Sequence, residues 1–465
     1  MHSPRGGKYR ALWALGTALG NPQSCASIAK VMRAIDLIER KRDGGELSSQ
    51  EIRWLVQGFV NGTIPDYQMS AFLMAVYFRG MTEQETVALT QAMAESGEKI
   101  DLSRIGGVKV DKHSTGGVGD TVTLALVPVV ASAGLVMAKL SGRALGHTGG
   151  TIDKFEAIPG VRTELSLEEI RSQAARVGAV IADHTADVVP ADRLIYELRD
   201  VTGTVPSLPL IAASVLSKKL AGGADAIVLD VKCGDGAFMR EWAEAERLAT
   251  TLVRVGNRLG KKFSALITAM DEPLGRMAGN ALEVRQAVEV LQGRGPADLT
   301  EVTLALGAEL LVLAGEAPAP AAARACLIRL VESGRAWEKF RELVAAQGGD
   351  LRAVDNPELL PQASTAVEIL SPASGYVQGL AARNIGLAAG LLGAGREVKG
   401  QAVDPGAGVE LLAKVGYEVR RGQPLARLHT NRKERIPEAE RLIAAAFHIG
   451  PDRPEPRPLI LGRVA

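Results

Sequence analysis

The 465-residue sequence has little of what several classes of protein require. Lys and Arg number 54 and Asp and Glu 53, so the formal net charge is +1, and no long run of like charge occurs. A protein that binds nucleic acid through a basic surface is therefore excluded, and any anion must be bound at a local site. Cys25, Cys233 and Cys326 lie far apart without the spacing of metal ligands, which indicates reduced thiols in a cytoplasmic protein.

No stretch reaches the roughly 18 apolar residues of a membrane-spanning helix, so no membrane association is expected. The composition, with 46% hydrophobic and 23% charged residues, is that of a globular protein, and the length predicts two or three domains. Residues 1–31 combine basic residues with a weak apolar stretch that glycines interrupt, which resembles a signal peptide only loosely. We predict that they form an extension and that the fold begins near Met32.

Helical patterns fill the region from residue 33 to residue 96. Ser48 precedes Glu51 by three positions and Thr82 precedes Glu85 by the same spacing, which is typical of the capping box at a helix start. We predict no strand in this region.

After residue 102, short β-type segments alternate with helical ones. The predicted strands lie within residues 106–113, 135–140, 178–183, 225–234 and 261–268. This alternation predicts an α/β sheet covered on both faces, with ligands bound at the carboxyl ends of the strands. The helical segment that begins near Asp120 is expected to be interrupted near Pro128.

Beyond Pro357, short β-type segments with frequent glycines indicate a small separate domain. It resembles the modules of biotinyl carriers, but no lysine stands in the exposed turn that a carrier needs, so we expect a scaffold. The predicted fold class is α/β: a helical N-terminal domain, a central α/β domain with a mixed sheet, and a small C-terminal α+β (barrel-sandwich-like) domain at residues 357–465.

A glycine-rich loop, KHSTGGVGDT at residues 112–121, follows the first predicted strand. The free amides of such a loop, ahead of a helix N-terminus, form an anion site because the helix dipole points the same way. Lys112 adds a full charge, and Ser114 and Thr123 add hydroxyl donors. The lysine precedes the glycines, unlike in a Walker loop. We predict a phosphate site; the alternative is a bare glycine turn.

A second glycine-rich loop, KLSGRALGHTGGTIDKFE at residues 139–156, repeats these features. Lys139, Ser141 and Thr151 surround its turn, and two such loops at adjacent strand ends would enclose one small anion. These three residues are therefore predicted to contact the ligand. Three charged residues near the loop's end are predicted to form only surface ion pairs, which contribute little to stability: Asp153, Lys154 and Glu156.

Two later helical segments carry a second set of polar residues. Tyr196 and Arg199 are three apart and share a face, and Ser214 and Lys218 are four apart on an otherwise apolar stretch. A serine and a lysine on such a face need a partner or a ligand. The alternative is that Lys218 extends to solvent at the helix end while Ser214 bonds to its own turn.

Four segments together resemble the pyrimidine nucleoside and thymidine phosphorylases: KHSTGGVGDT, SGRALGHTGGTIDKFEAIPG, YELRDVTGTVPSLPLIAASVLSKKLAGG and DVKCGDGAFM. The resemblance runs in order from about Met32 to the C-terminus. It implies phosphorolysis of a pyrimidine nucleoside (uridine, thymidine or deoxyuridine) to the free base and a pentose 1-phosphate. It also implies a helical domain at residues 32–98 and 190–222, through which a homodimer forms, and an α/β domain at residues 99–189 and 223–356.

The resemblance also implies roles for the site residues. The phosphate ligands would be Lys112, Ser114, Thr123, Lys139, Ser141 and Thr151. Arg199, Ser214 and Lys218 would hold the carbonyl groups and ring nitrogen of the base, with Tyr196 beside them. His113 would lie between the two groups and donate a proton to the leaving base. The implied catalytic residues are His113, Arg199 and Lys218.

Some members of the family hold a cation such as potassium near the first loop. The matching positions here are Gly119, Thr121, Leu274, Met277 and Gln286. Glutamine at the last position replaces a glutamate, so a charged ligand is lost and the remaining oxygens would hold potassium weakly. The resemblance implies no other cofactor.

Three alternatives concern specificity and class. Thr123 replaces the serine of thymidine-specific members, which favours broad pyrimidine specificity over restriction to thymidine and deoxyuridine; Leu145 and Phe238, at positions that would line the pocket, do not decide this. A phosphoribosyltransferase of the same fold would need an acidic pair for magnesium and pyrophosphate beside the second loop, and the sequence has none there. A non-catalytic binding relative is expected to lose charge at positions that are intact here: Lys112, His113, Arg199 and Lys218.

Overall fold

The fold is that of a computed structural model, which describes residues 32–143, 149–184, 187–396, 398 and 400–465. The predicted extension at residues 1–31 lies outside the described residues, as does Leu145.

The helices of the first half are α1 (Ala34–Arg42), α2 (Ser49–Val60), α3 (Asp66–Arg79), α4 (Glu83–Ala94), α5 (Val122–Ser132), α6 (Thr151–Glu156), α7 (Leu167–Val177), α8 (Pro190–Thr202) and α9 (Leu208–Ala221). Those of the second half are α10 (Trp242–Arg258), α11 (Asn280–Leu291), α12 (Ala297–Ala314), α13 (Pro320–Glu332), α14 (Arg335–Ala346), α15 (Leu351–Asp355), α16 (Ala382–Ala389) and α17 (Ile436–Ala446).

The strands up to the start of the C-terminal region are β1 (Val110–Ser114), β2 (Met137–Ser141), β3 (Ala179–Asp183), β4 (Ala226–Cys233), β5 (Lys262–Ala269) and β6 (Met277–Ala278). The C-terminal region contains β7 (Thr365–Leu370), β8 (Gly375–Leu380), β9 (Gly408–Leu411), β10 (Glu418–Val419), β11 (Pro424–Thr430), β12 (Phe447–Gly450) and β13 (Ile460–Val464).

Both predicted capping boxes are formed. The Glu51 N–H donates to Ser48 Oγ at 3.3 Å, and Glu51 Oε2 accepts from the Ser48 N–H at 2.9 Å. Thr82 and Glu85 make the equivalent pair of bonds at 3.2 and 2.8 Å. These side chains satisfy amides that a helix start leaves without intrahelical partners, so α2 and α4 begin where the sequence predicted.

Helix α5 continues through Pro128, so the expected interruption is wrong. Every residue of α5 is buried, and the helix packs against α11, α12 and α14. Proline removes one helical hydrogen bond, but the packing of an apolar helix on all sides outweighs that local cost.

The central strands form two hydrogen-bonded groups, in the orders β1-β4-β5-β13 and β2-β3. Parallel pairing joins β1, β4 and β5, and separately β2 and β3, whereas β13 pairs antiparallel with β5. The Val110 N–H donates to the Val136 carbonyl at 2.8 Å and connects the two groups of strands. The sheet is mixed, as predicted, and both glycine-rich loops follow neighbouring strands, β1 and β2.

Helices α1–α4, α8 and α9 pack around a separate apolar core that includes Leu55, Phe72 and Leu210. The segments that connect this core to the sheet pack closely against each other. In one such contact, the Ile100 N–H donates to the Ala221 carbonyl at 2.8 Å. Gly223 has φ +79°, and a Cβ there would overlap the Ile100 carbonyl oxygen, so this crossing requires glycine.

The C-terminal region forms two small antiparallel sheets, β6-β9-β11-β7 and β10-β8-β12, together with α16 and α17. The structure interleaves elements across the predicted boundary at residue 357. Strand β6 precedes the boundary yet pairs with β9, and β13 at the end of the chain pairs with β5 in the central sheet. Strand β13 thereby covers an edge that β5 would otherwise expose.

Candidate active site

The first glycine-rich loop leaves the carboxyl end of β1 and enters α5. The Lys112 side chain is fully buried, and its Nζ lies 3.1 Å from Asp230 Oδ2 and 3.7 Å from Asp120 Oδ2. Among the described residues this ammonium has no hydrogen-bond partner of acceptable geometry. A buried cation with unmade hydrogen bonds is costly unless a ligand completes them, so Lys112 remains a candidate anion ligand.

The hydroxyl residues of the first loop lie on either side of Asp120. Ser114 Oγ donates to Asp120 Oδ2 at 2.6 Å and accepts from the Gly116 N–H at 3.2 Å. Thr123 is buried in the first turn of α5. A helix start beside an ammonium and hydroxyls is the arrangement that the sequence predicted for an anion site.

The second loop places Lys139 and Ser141 on β2 and Thr151 at the first position of α6. Lys139 is buried; its Nζ donates to the Leu140 carbonyl at 2.8 Å and lies 3.7 Å from Asp111 Oδ1. Burial, which the Asp111 carboxylate only partly offsets, lowers the pKa of Lys139 to about 7. This ammonium therefore titrates near neutral pH.

The expectation of surface ion pairs after the second loop is wrong for Asp153 and Lys154, which are both buried. Lys154 Nζ lies 2.6 Å from Glu283 Oε2 and donates to the Asp120 carbonyl at 2.9 Å. Asp153 accepts from Arg396 of the C-terminal region at 2.6 and 2.8 Å. These contacts join α6 to the first loop and to the C-terminal region, which sequence spacing does not reveal.

The second set of polar residues lies on α8 and α9. Arg199 is buried and donates to the carbonyls of Val205 at 2.6 Å and Leu210 at 3.2 Å, with its guanidinium 5.8 Å from the centre of the exposed Tyr196 ring. Backbone carbonyls thus hold this cation in place without neutralising it. Burial lowers the pKa of Arg199, but a guanidinium stays charged in proteins.

Lys218 contacts both a predicted and an unpredicted partner. Its Nζ donates to Ser214 Oγ at 3.0 Å and to Asp192 Oδ2 at 2.5 Å. Asp192 was not predicted from the sequence, although it stands four residues before Tyr196 and seven before Arg199, which is the spacing of one helix face. The three residues of α8 and the two of α9 therefore form one cluster.

His113 connects the two sets. Burial lowers the pKa of His113 well below its ordinary value, and the ammonium groups of Lys219, Lys139, Lys218 and Lys112 lower it further. These lysines come from β1, β2 and α9, so the imidazole lies within electrostatic reach of both the loops and the helices. His113 is therefore neutral at pH 7.

Further charged residues around these side chains were not assigned a role from the sequence. Lys219 pairs with Asp111 at 2.7 Å, and Lys232 lies 2.8 Å from Asp230 Oδ2. Asp111 and Asp230 stand on β1 and β4, and a carboxylate in an apolar strand is a signal of a buried partner. The exposed Phe238 is more than half accessible and lies beyond β4.

The five residues matched to a cation site lie together. Gly119 has φ +70°, and a Cβ there would lie 2.5 Å from the Leu274 carbonyl oxygen and 2.9 Å from that of Met277. Gln286 Nε2 lies 3.3 Å from Thr121 Oγ1, and its Oε1 accepts from the Met277 N–H at 3.2 Å. The five residues carry no charge, but the Glu283 carboxylate adjoins them: its Oε2 accepts from Thr121 Oγ1 at 3.0 Å and pairs with Lys154.

Within the described ranges, the His, Cys, Asp and Glu side chains form no group of three or more that could hold a metal ion. None of the helices in those ranges is long and apolar enough to cross a membrane.

Comparisons with known proteins match most of the chain. Family models match residues 35–97 (glycosyl transferase family, helical bundle domain), 106–337 (glycosyl transferase family, a/b domain) and 376–450 (pyrimidine nucleoside phosphorylase C-terminal domain). The pyrimidine-nucleoside phosphorylase of Staphylococcus haemolyticus is 50% identical over 86% of this chain and 93% of its own length. One from Staphylococcus aureus is 51% identical over 87% of this chain and 93% of its own length.

A structural comparison shows the same fold at lower similarity. The crystal structure of anthranilate phosphoribosyltransferase from Thermus thermophilus matches with a TM-score of 0.54 and 22% identity, over 67% of this chain and 99% of that chain. At this identity the match bears on the fold alone.

Proposed function

The chain belongs to the pyrimidine-nucleoside phosphorylase family, and we propose that it cleaves pyrimidine nucleosides with inorganic phosphate to the free base and a pentose 1-phosphate. It is a pentosyltransferase. One observation carries the proposal: Lys112 and Lys139, on the strands that lead into the glycine-rich loops, and two lysines of α9 lie within electrostatic reach of the same imidazole, His113.

Phosphate is bound by the loops after β1 and β2. Lys112 supplies a buried ammonium with unmade hydrogen bonds, and Lys139 supplies a second one that titrates near neutral pH. Hydroxyls of the same loops and of the adjoining helix starts complete the phosphate ligands: Ser114, Thr123, Ser141 and Thr151.

The pyrimidine is bound by α8 and α9, through Arg199, Ser214 and Lys218, with Tyr196 beside them. Cleavage of the glycosidic bond leaves positive charge on the sugar and negative charge on the departing base. A cation about 4 Å from that developing charge contributes roughly 4 kcal/mol at an effective dielectric constant of about 20. Two such cations therefore supply several powers of ten in rate.

Phosphate itself attacks the anomeric carbon from the face opposite the base, so the reaction inverts that carbon and forms no covalent intermediate with the enzyme. Neutral His113 donates its N–H to a base carbonyl in the transition state. The phosphate dianion, once bound, favours the charged imidazole, which prepares the same group to transfer a proton to the leaving base.

Closure of the cleft brings the two halves of the site together. The helical core and the sheet are connected by closely packed segments such as the crossing at Gly223, which suits a hinge. Closure excludes water, which would otherwise compete with phosphate for the sugar.

A monovalent cation such as potassium fits the site beneath the first loop, because the carbonyls of Leu274 and Met277 face the space that a Cβ of Gly119 would fill. Thr121 would add a neutral hydroxyl oxygen, whereas Gln286 Oε1 already accepts from the N–H groups of Arg276 and Met277, which suits potassium held weakly. When bound, the ion supplies a fixed positive charge below the loop. No other cofactor is proposed.

The proposed assembly is a homodimer formed through α1 and α3. Tyr67 and Phe78 are 73% and 74% exposed, and a groove of about 700 Å³ beside Phe78 is lined by side chains that include Ile38 and Met74. Exposed aromatic side chains around a groove are typical of a protein interface. We place the protein in the cytoplasm, in keeping with its free thiols at Cys233 and Cys326.

We propose broad pyrimidine specificity, covering uridine, thymidine and deoxyuridine, on the basis of Thr123. The test is chromatography of the products from each nucleoside, with and without phosphate. Phosphate-dependent release of uracil from uridine and of thymine from thymidine is expected, and their ratio measures specificity; release from thymidine and deoxyuridine but not from uridine would favour the restricted alternative. No release by folded protein would overturn the proposal and favour a non-catalytic binding relative.

A further inference from the structure

A buried carboxylate lies between two buried ammonium groups beneath the first loop. Asp230 Oδ2 is 3.1 Å from Lys112 Nζ and 2.8 Å from Lys232 Nζ, and all three side chains are fully buried. The other oxygen of Asp230 accepts from Thr268 Oγ1 at 2.7 Å. Both lysines therefore share one carboxylate oxygen.

Neither ammonium has a hydrogen-bond partner of acceptable geometry among the described residues, and Asp230 Oδ2 has none either. A buried ion pair gains most when its hydrogen bonds are complete, and these are not. The carboxylate of Asp230 therefore offsets part of the positive charge of the two lysines, but the hydrogen bonds of these groups are incomplete. Such an arrangement is expected where a ligand must compete with an internal partner.

We propose that Lys232 is a positioning residue for phosphate: by sharing Asp230, it keeps that carboxylate from sequestering the ammonium of Lys112. This inference rests on the proposed phosphorolysis. Without Lys232, Asp230 would pair fully with Lys112, and the negative charge near the phosphate would rise by one. Phosphate would then have to displace Asp230 and bind against its charge.

The backbone N–H of Lys232 donates to Thr115 Oγ1 at 2.9 Å, which attaches β4 to the first loop whatever the side chain. The charges around the Lys232 side chain support its role. Although burial opposes the charged form, Asp120 and Asp230 raise the pKa of Lys232, so this ammonium stays protonated. Lys232 also helps to lower the pKa of Asp120, the carboxylate that holds Ser114.

The test measures the KM of phosphate and the KM of the nucleoside separately in Lys232→Met. We expect the phosphate KM to rise at least about tenfold, equivalent to about 1.4 kcal/mol, while the nucleoside KM changes little. The double variant Asp230→Asn with Lys232→Met removes the competing carboxylate as well and should restore the phosphate KM to within about threefold of wild type.

Lys41→Met is the matched control, because Lys41 also forms a buried pair, with Glu85 at 2.8 Å in the helical core. It should lower stability without changing the phosphate KM selectively. The proposal is overturned if Lys232→Met raises both KM values equally, or if the double variant binds phosphate as weakly as Lys232→Met. If Lys232→Met does not fold, a double variant that folds but binds phosphate at least about tenfold more weakly than wild type overturns the proposal as well.

Calorimetric titration with inorganic phosphate alone separates this inference from the proposed function. If the wild-type protein binds phosphate but releases no base, the proposed function fails, and the comparison of phosphate affinities still tests Lys232. If wild type turns over and the phosphate affinities of wild type and Lys232→Met agree, only the role of Lys232 fails.

Discussion

Lys218 Nζ on α9 lies 2.5 Å from Asp192 Oδ2 on α8, so an ion pair joins the two helices that carry the proposed base-binding residues. Both side chains are largely buried, and Asp192 Oδ1 has no hydrogen-bond partner among the described residues. The ion pair fixes the position of the Lys218 ammonium, which stands at the end of a long, flexible side chain. On the proposed function, this geometry sets where the ammonium of Lys218 would meet the pyrimidine.

Replacing Asp192 by Asn should therefore weaken catalysis through Lys218. We expect kcat/KM for the nucleoside to fall about tenfold or more, the effect of losing roughly 1.4 kcal/mol of transition-state stabilisation, with little change in the phosphate KM. Steady-state kinetics with each substrate varied in turn measures this. Asp200→Asn, an exposed site on the same helix, is the control, and an equal loss in both variants would contradict the prediction.

Phosphate affinity should decline as the pH rises through about 7, because the pKa of Lys139 is lowered to about 7. Phosphate titrates in the same range, so wild type must be compared with Lys139→Met by calorimetry from pH 6 to pH 9. The phosphate affinity of wild type should fall more steeply with rising pH than that of Lys139→Met. Parallel curves would show that Lys139 does not bind phosphate as an ammonium.

The same shift predicts a stability effect of known sign. The folded pKa of Lys139 lies below its ordinary value of 10.5, so between about 7 and that value the unfolded chain binds more protons. The contribution of Lys139 to the free energy of unfolding therefore rises with pH across this window and is flat below it. Denaturant titrations at the two ends of this pH window measure the free energy of unfolding of wild type and of Lys139→Met. From the low to the high end, that free energy should rise more in wild type than in the variant; a smaller rise in wild type would contradict the lowered pKa.

Phe78→Glu should convert the proposed dimer into a monomer, because it places a charge in an apolar contact on α3. Analytical ultracentrifugation at several concentrations measures this. Leu359→Glu is the control, since Leu359 is also exposed but lies in the C-terminal region. A dimer that survives Phe78→Glu but not Leu359→Glu would place the interface elsewhere.

Gln286→Glu should strengthen the response to potassium, because it adds a negative charge to a set of neutral oxygens. Phosphorolysis would be followed in potassium chloride and in choline chloride at equal ionic strength. We expect a small potassium effect in wild type and a larger one in the variant. Equal rates in both salts for both proteins would exclude a functional cation at this site.

Local sequence predicted the helices and strands well where the signal depends on neighbouring residues. The capping boxes at Ser48 and Thr82 and the glycine loop after β1 were predicted from a few consecutive residues, and the structure has them. The predicted interruption of α5 near Pro128 was wrong because burial of the helix on all sides outweighs one lost hydrogen bond. The exchange of β6 and β13 across residue 357 escaped prediction because strand pairing is a long-range property.

By itself, the sequence determined which residue types stand at the strand ends and on the faces of α8 and α9, because spacing along a helix or strand sets direction. Only the tertiary structure decided which charges meet. Asp192 contacts Lys218, which is 26 positions away in the sequence, and Asp111 contacts Lys219, which is 108 positions away. No local sequence pattern encodes contacts between residues so far apart in the chain. A buried charge is stable only beside its partner, and folding, rather than spacing, brings the two together.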